Sequence, residues 1–515
     1  MWPICCRAWR MGARRVCGAG ALPVASVRSS GQGKIMAGIS ACGVHVPRMR
    51  LPLSLIHSPE QRPSSREKAV AGADEDSITM AVAAAGDCLG GYERAVVDHL
   101  YLVSTSSYFA EKSAAAIVAK ALGLRPDVLT VDYGGSLRGA AAALRAAVSA
   151  VASGSAGTVL VVASDTRTAE PYSAMESDLG DAAVALLVEA DAPLRLEGDS
   201  AVNRQAFDVW RDDGTATLRS WEDRFVVRHG CIEPVTAAWE QLQSASALTP
   251  ASVRFVACHA PDVRSHRELA GQLGFRGEQV IEPLFGRVGN CGSAFVPLLL
   301  AQALERAQPG DRVLTAFAGD GAHLMSWVLE RPLERTPRLS EQLQRRIVMR
   351  SYRQYLQCRG LDPGQRSGAS SDGISATVSY RDQDADIGFV GARCCDCGTE
   401  QYPPTRVCYR CFARDRFEPV ALARRTGTLL SYSMDYFFPA PNPPVVAGVC
   451  ALGGSARAYL QLADYAGETL QTGLPVEFVF RRIHHSGGRP AYFWKSRLIA
   501  GAAAPALEPG VTTDA

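Results

Sequence analysis

Charge imbalance is missing from this sequence. Its 54 basic and 52 acidic residues leave a formal net charge of +2. Near-neutrality argues against a polyelectrolyte partner such as nucleic acid, while a local basic pocket remains open to a phosphate-bearing substrate. Lysine is scarce: only Lys34, Lys68, Lys112, Lys120 and Lys495 occur, so nearly every basic side chain is Arg. No apolar run is long and charge-free enough to cross a bilayer, so no membrane partner is expected. Positions 1–35 contain no Asp or Glu and are Arg-rich, like an organelle transit peptide. Because the amphipathic pattern of such peptides is weak there, 1–36 is read as a dispensable or mis-assigned start, with Met36 as first residue. A regular disulfide framework is also lacking, although the chain has 15 Cys. With 47% hydrophobic and 21% charged residues, the composition is that of an ordinary globular protein. Its 515 residues are too many for one core, so several domains follow.

What is present begins with Cys394-Cys395-Asp396-Cys397 and, eleven residues after Cys397, Cys408-Tyr409-Arg410-Cys411. Two Cys-x-x-Cys pairs at this separation offer four thiolates to one tetrahedral ion, the ligand set of a structural zinc ribbon. Cys394, Cys397, Cys408 and Cys411 are the expected ligands, with Cys395 surplus. Four thiolates close the coordination sphere, so the expected Zn2+ holds a small domain together and performs no chemistry. Metal thiolates need a reducing compartment, and a cytoplasmic location is expected.

Upstream, short β runs alternate with longer helical ones. Strands are predicted at 39–46, 99–104, 128–133 (read as buried), 158–164, 182–189, 254–260, 312–317 and 323–329. Helices are predicted at 76–89, 112–122, 136–152, 232–245, 264–273 and 293–307. That alternation predicts βαβ units, a mostly parallel sheet and an α/β class. Residues 333–365 carry charged, helical spacing, and 364–385 are Gly/Ser/Asp-rich and read as a linker. Beyond the Cys motif, five short β runs at 427–435, 445–451, 458–462, 476–481 and 491–494 suit a small closed barrel such as the OB-fold. The tail after Gly501 reads as disordered.

Three places have the residue types that chemistry needs. Ser136 follows a Gly134-Gly135 turn before a predicted helix. It is either a helix N-cap or a nucleophile whose developing anion the helix N-terminus stabilises. A serine hydroxyl also needs a base. His259 ends a predicted strand, and strand C-termini in α/β sheets face the ligand crevice. Asn290 lies in the Gly289-Asn290-Cys291-Gly292 turn, where turn chemistry alone also explains it. Cys258 and Cys291, beside these two, are buried filler or fallback nucleophiles.

These motifs carry a resemblance. Residues 37–332 resemble the thiolase superfamily, nearest its 3-hydroxy-3-methylglutaryl-CoA synthase and ketoacyl synthase branches. The matching runs are Val131–Leu144, Val161–Gly180 with Asp181-Ala182-Ala183, Cys258–Pro261, Gly289–Gly292 and Phe317–Gly321. The resemblance implies a duplicated αβαβα body and an active-site set of Ser136, His259 and Asn290. Residues 346–500 resemble the zinc-ribbon and OB-fold module that accompanies such enzymes and helps gate or channel acyl-CoA. The implied domains are 37–190 and 191–332 for the two thiolase-like halves, 333–387 for a helical segment and linker, 388–417 for the ribbon, 418–500 for the five-stranded OB-type barrel and 501–515 for the tail.

Two departures stand out. Ser136 occupies the family's nucleophilic Cys position, and no Glu stands in Ser104–Tyr108, where the synthase branch has its proton-moving Glu. Tyr108 is the substitute donor in that stretch. The expected function is therefore an acyl-CoA-dependent acyltransferase, or an enzyme forming a carbon–carbon bond by Claisen or aldol chemistry. Retro-aldol cleavage of a CoA thioester without an acyl-enzyme is the alternative, and a non-catalytic acyl-CoA-binding or scaffolding role is another. The substrate is an acyl-CoA or acyl-carrier thioester, and the resemblance implies a homodimer. No basic run marks the residues that grip the CoA phosphates.

Overall fold

The computed structural model describes residues 36–57, 65–212, 214–362, 375–486 and 489–499. The expected N-terminal segment up to residue 35, the tail at 501–515 and the linker residues 364–374 lie outside them.

The body is built on one nine-stranded sheet. Its first half contains β1 (Ala37–His45), β2 (His99–Val103), β3 (Leu129–Tyr133), β4 (Thr158–Asp165) and β5 (Ala182–Ala190). Its second half contains β6 (Leu194–Asn203), β7 (Phe255–Cys258), β8 (Arg312–Ala318) and β9 (Gly321–Leu329). The spatial order is β7-β8-β9-β6-β1-β5-β4-β2-β3. Numbered within the first half, that is 3-2-4-5-1. The second half repeats the order, with its third strand reduced to one parallel bridge between Val256 and Val280. Ile39 opposite Leu194 joins the halves. The duplication, which no residue-by-residue repeat reveals, is explicit in the topology.

Only three of the eight neighbouring strand pairs are parallel, contrary to the mostly parallel sheet expected from the alternation. In each half the last two strands return as an antiparallel pair, β4 with β5 and β8 with β9. β6 was not anticipated, because only Leu194 and Leu196 mark its inward face before Gly198. β3 lies at the sheet edge and is half-exposed, not buried.

Six helices cover the sheet: α1 (Ser77–Cys88), α2 (Ala115–Leu122), α3 (Gly139–Ala152), α4 (Glu233–Ala245), α5 (Val263–Gln272) and α6 (Phe295–Leu304). α3 and α6 share one core with strands of both halves and form the central layer. α1 and α2 cover the first half, and α4 and α5 the second. The result is five layers, αβαβα. α6 is apolar all round because it has sheet or helix on every side. Its Leu298, Leu299 and Leu300 are fully buried, a contribution of about 2 kcal/mol each. On α3, Ala140, Ala141, Ala143 and Ala147 present small side chains to the same core.

The expected linker is partly helical. Ala376–Arg381 forms a helix whose first turn is capped by Ser375, which accepts from the Val378 N–H at 3.3 Å. Between 333 and 362, helices at Leu339–Gln344 and Tyr352–Arg359 flank a short strand, Ile347–Val348. This strand pairs in parallel with Met49–Pro52.

Five strands, β10 (Gly427–Asp435), β11 (Val445–Ala451), β12 (Arg457–Gln461), β13 (Pro475–Ser486) and β14 (Arg489–Leu498), form the last sheet in the order β12-β11-β10-β13-β14. A parallel bridge between Leu462 and Ser496 closes it on itself. Its apolar face shares a core with α1 and α2. The polar seam is a grip on the acidic loop Asp74-Glu75-Asp76. The buried Arg481 guanidinium lies 3.1 Å from both Glu75 and Asp464, and Lys495 is 2.9 Å from Asp74. Tyr492 donates to Asp76 at 2.8 Å, while Asp76 caps α1 through the Ile78 and Thr79 N–H groups. Burial alone would raise the Glu75 carboxyl, but Arg481 and His45 hold it well below its usual range.

The ribbon brings Cys394, Cys397, Cys408 and Cys411 together, with all four sulfurs within 4.8 Å of one another. The Cys394–Cys411 and Cys397–Cys408 separations are 3.6 Å. Four sulfurs about 2.3 Å from a tetrahedral Zn2+ lie about 3.8 Å apart, so the cluster fits the ion. Cys395 is exposed and outside the cluster.

Two outcomes follow. Arg481→Met removes the cation shared by two buried carboxylates and leaves His45 as the partner of Glu75 and Arg497 as the partner of Asp464, so urea unfolding should show a loss of about 3 kcal/mol, partly recovered by adding Glu75→Gln. Purified protein should contain one zinc per chain by elemental analysis. Cys397→Ser with Cys408→Ser should lose the metal and open residues 388–417 to limited proteolysis.

Candidate active site

His259 follows β7, and Asn290 precedes α6. Their contact depends on close backbone approach. Asn290 N–H donates to the Asp178 carbonyl at 2.7 Å, and its own carbonyl accepts from Gly180 N–H at 3.1 Å. A Cβ on Gly180 would lie 1.9 Å from the Val288 oxygen, and Gly289 has φ +99°, so glycine is required at both positions. Asn290 is thereby held between the two halves.

The carboxamide orientation follows from its partners. Asn290 Oδ1 accepts from Gly292 N–H at 3.0 Å, and Nδ2 donates to the Ala260 carbonyl at 3.1 Å. The second Nδ2 proton points at His259 Nε2, 3.1 Å away. Nε2 is therefore an acceptor, and the imidazole proton is assigned to Nδ1. Nδ1 is buried and has no hydrogen-bond partner. Phe295 packs edge-on against the ring at 5.8 Å. Burial first, then the charges of Arg167 and His266, pull His259 down to about 3. The imidazole is neutral at physiological pH. It is a poor base and a competent N–H donor.

Ser136 is half-buried and lies three residues before α3, which opens at Gly139. It is not an N-cap: Arg138 holds that position, without a side-chain cap. The Ser136 hydroxyl donates to the Gly319 carbonyl at 3.4 Å. His259 N–H donates to the Ala316 carbonyl at 2.9 Å, on the strand that leads to Gly319. Ser136 and His259 thus hang from one strand end. Among the described residues no hydrogen bond joins their side chains. Ser136 and Asn290 also occupy equivalent places in the duplication, each between the third strand position of its half and the helix that follows.

Cys258 and Cys291 are fully buried. Burial pushes the Cys258 thiol up to about 12 and the Cys291 thiol further, so neither supplies a thiolate nucleophile. Tyr108 is exposed, and its hydroxyl lies 3.0 Å from Nε2 of His485 on β13.

Sequence reasoning quoted Asp165 and Arg167 within a matching run but gave neither a role. Asp165 is fully buried. Its Oδ1 accepts from the Ser104 hydroxyl, the Thr105 N–H and both the N–H and hydroxyl of Ser106. Its Oδ2 accepts from the Thr105 hydroxyl and both the N–H and hydroxyl of Ser293. The Ser/Thr-rich 104–107 stretch was the legible signal for such a hub. A cleft of about 630 Å³ lies elsewhere, between ribbon and barrel, lined by Tyr402, Tyr409 and Arg457 among others; it includes none of Ser136, His259 or Asn290.

Comparison with known proteins places the fold in a family. Residues 243–331 match the family model for the C-terminal part of 3-oxoacyl-[acyl-carrier-protein] synthase III. Residues 381–418 match the rubredoxin-like zinc ribbon of ChsH2. Hydroxymethylglutaryl-CoA synthase of Aeropyrum pernix is 32% identical over 303 residues, covering 56% of this chain and 82% of the relative. The Methanopyrus kandleri hydroxymethylglutaryl-CoA synthase is 31% identical over 340 residues, covering 62% and 95%. Among solved structures, MvaS in complex with 3-hydroxy-3-methylglutaryl coenzyme A superposes with a TM-score of 0.57 at 21% identity, covering 66% of this chain and 96% of that one. The synthase III of Pseudomonas aeruginosa gives 0.52 at 20% identity, covering 58% and 99%. The chain belongs to the hydroxymethylglutaryl-CoA synthase family of thiolase-like condensing enzymes and carries a C-terminal zinc ribbon.

Proposed function

We propose that this protein acts on a coenzyme A thioester, making or breaking the carbon–carbon bond next to the thioester carbonyl without an acyl-enzyme. The supporting observation is the neutral His259–Asn290 pair. A neutral imidazole N–H donates to a developing oxyanion without having to lose its charge first. In the cleavage direction a base takes the β-hydroxyl proton and the Cα–Cβ bond breaks. The electron pair rests on the enolate oxygen near His259 and Asn290 until Cα takes a proton. The archaeal relatives are named hydroxymethylglutaryl-CoA synthases, which favours a β-hydroxyacyl thioester as the substrate or product.

Acyl transfer through Ser136 is the second reading. Its support is the position of Ser136, tied to the same strand end as His259. Its difficulty is activation: the hydroxyl donates to a carbonyl, and His259 is too weak a base to take its proton.

The half-exposed edge of β3, with Leu129 49% exposed, favours pairing with a second copy. The closed five-strand sheet supports the OB-type reading. Its Tyr108–His485 contact next to the Asp165-bound loop fits a role in guarding the thioester entrance.

His259→Ala should lower turnover of a β-hydroxyacyl-CoA about 10²–10³-fold with thioester affinity retained. Ser136→Ala should leave turnover within about threefold. An acyl adduct on Ser136 by intact-mass analysis, with turnover abolished in Ser136→Ala, would install the covalent route instead. The pH sign follows from burial. The folded imidazole stays neutral down to about 3, whereas the unfolded one protonates near 6.5, so acid between these values favours the unfolded chain. The melting temperature should fall as pH drops below 6.5, and His259→Gln should flatten part of that slope.

A further inference from the structure

The helix Tyr352–Arg359 stands between the body and the zinc ribbon in the chain, yet one face of it reaches the backbone that supports the candidate site. Tyr352, Tyr355 and Arg359 are spaced i, i+3 and i+7, so they share that face, which two helical turns carry over about 10 Å. It closes over residues 167–181, which run from the exit of β4 to the entry of β5. The Tyr352 hydroxyl donates to the Glu176 carboxylate at 2.9 Å, and its ring packs on Tyr172 with centres 4.6 Å apart. Tyr355 is fully buried. At the other end of the face the Arg359 guanidinium, on a side chain 5% exposed, lies 2.7 Å from the buried Asp181 carboxylate.

Asp181 adjoins the segment that holds Asn290. Gly180 N–H donates to the Asn290 carbonyl, Asn290 N–H donates to the Asp178 carbonyl, and Leu179 bridges Asn290 in parallel. Asp181 Oδ1 accepts from the Arg167 N–H at 2.8 Å, and Oδ2 accepts from the Ala71 N–H at 2.6 Å. Its own N–H donates to the Ala69 carbonyl at 3.2 Å, and the Ala69 N–H donates to the Val288 carbonyl at 2.9 Å. One carboxylate therefore joins the short strand Glu67–Val70, the exit of β4 and, through Gly180, the Asn290 turn. A carboxylate out of water needs a cation besides such donors. Burial alone would lower the Arg359 guanidinium, but Asp181 holds it above its ordinary value. Lys68 is a second cation nearby. Burial first, then the Arg359 charge, pulls it down to about 7, and its amine donates to the Glu176 carbonyl at 2.5 Å. The firm positive charge on Asp181 is that of Arg359.

We infer that Arg359 is a positioning residue of the active site: by pairing with Asp181 it holds residues 178–181 against Asn290 and so sets where the carboxamide meets His259. For its kinetic consequence the inference rests on the CoA-thioester reading above. The Asn290–His259 contact spans 3.1 Å, near the upper end of hydrogen-bond distance, so a displacement of about 1 Å breaks it. A misplacement of that size typically costs about 10²-fold in rate. The helix that carries Arg359 is the last described element before the segment leading to the ribbon, so the C-terminal part of the chain takes part in building the site and not only in covering it.

Two measurements on the full chain test this. In hydrogen–deuterium exchange the Gly180 and Asn290 amides should exchange about tenfold faster in Arg359→Met, while β1 and β9 stay within about twofold of wild type. Arg359→Lys keeps the charge without the planar fork and should fall between the two. Unchanged exchange at both amides in both variants overturns the inference. Faster exchange spread equally over β1 and β9 assigns Arg359 a general structural role and also overturns it. The second measurement is acetyl-CoA release from 3-hydroxy-3-methylglutaryl-CoA. Arg359→Lys should lower kcat about tenfold with KM within about twofold. In an Asn290→Ala background the same substitution should change kcat less than about twofold, because its effect passes through that carboxamide. Equal losses in the two backgrounds overturn the inference and leave the CoA-thioester reading intact. Wild type that releases no acetyl-CoA overturns the bond-breaking reading instead, and the exchange result then decides for or against Arg359 alone.

Discussion

The Asp165 carboxylate is the constraint on which the site depends. It stands at the end of β4 and gathers the loop after β2 and the start of α6, which belong to different halves of the body. Loops over a sheet end are ordinarily the most mobile part of an α/β protein. Here one buried anion with seven donors ties them down, and each donor is neutral. The arrangement satisfies the carboxylate without a salt bridge. It also places α6 so that Asn290, just before it, meets His259.

Duplication accounts for where the candidate residues lie. Each half follows its third strand position with a turn into a long buried helix. One contributes Ser136 and the other Asn290. His259 comes from the second-strand end of the C-terminal half, the counterpart of the Ser104–Ser107 stretch in the other. The two halves have diverged: one supplies hydroxyl and backbone donors to a buried carboxylate, and the other supplies the imidazole and carboxamide. The barrel stands outside this symmetry. It is fastened to the loop before α1 through Arg481, Lys495 and Tyr492, and it shares an apolar core with α1 and α2.

Much of this was legible in the residues. Strand and helix positions in the body follow the hydrophobic rhythm to within a few residues, because each element buries one face against a neighbour. The five barrel strands and the zinc ligands were equally open to reading, since Cys spacing and turn residues are local signals. Parallel against antiparallel pairing was not legible, because strand direction depends on where the chain returns and not on what the strand contains. The half-exposure of β3 was hidden for the same reason, as Leu129–Tyr133 reads like an interior strand. Residues 376–381 read as linker from their neighbours' composition, yet a Ser375 cap starts a helix there.

By itself the sequence determined the α/β class, the metal tetrad and the family motifs that contain Ser136, His259 and Asn290. These rest on periodicity and short-range spacing, which need no knowledge of distant contacts. Only the tertiary structure decided the protonation state of His259, the hydrogen-bond partner of Ser136 and the donors gathered around Asp165. Each depends on burial and on which distant group completes a hydrogen bond. Those quantities come into being when segments more than a hundred residues apart close around the same few ångströms of space.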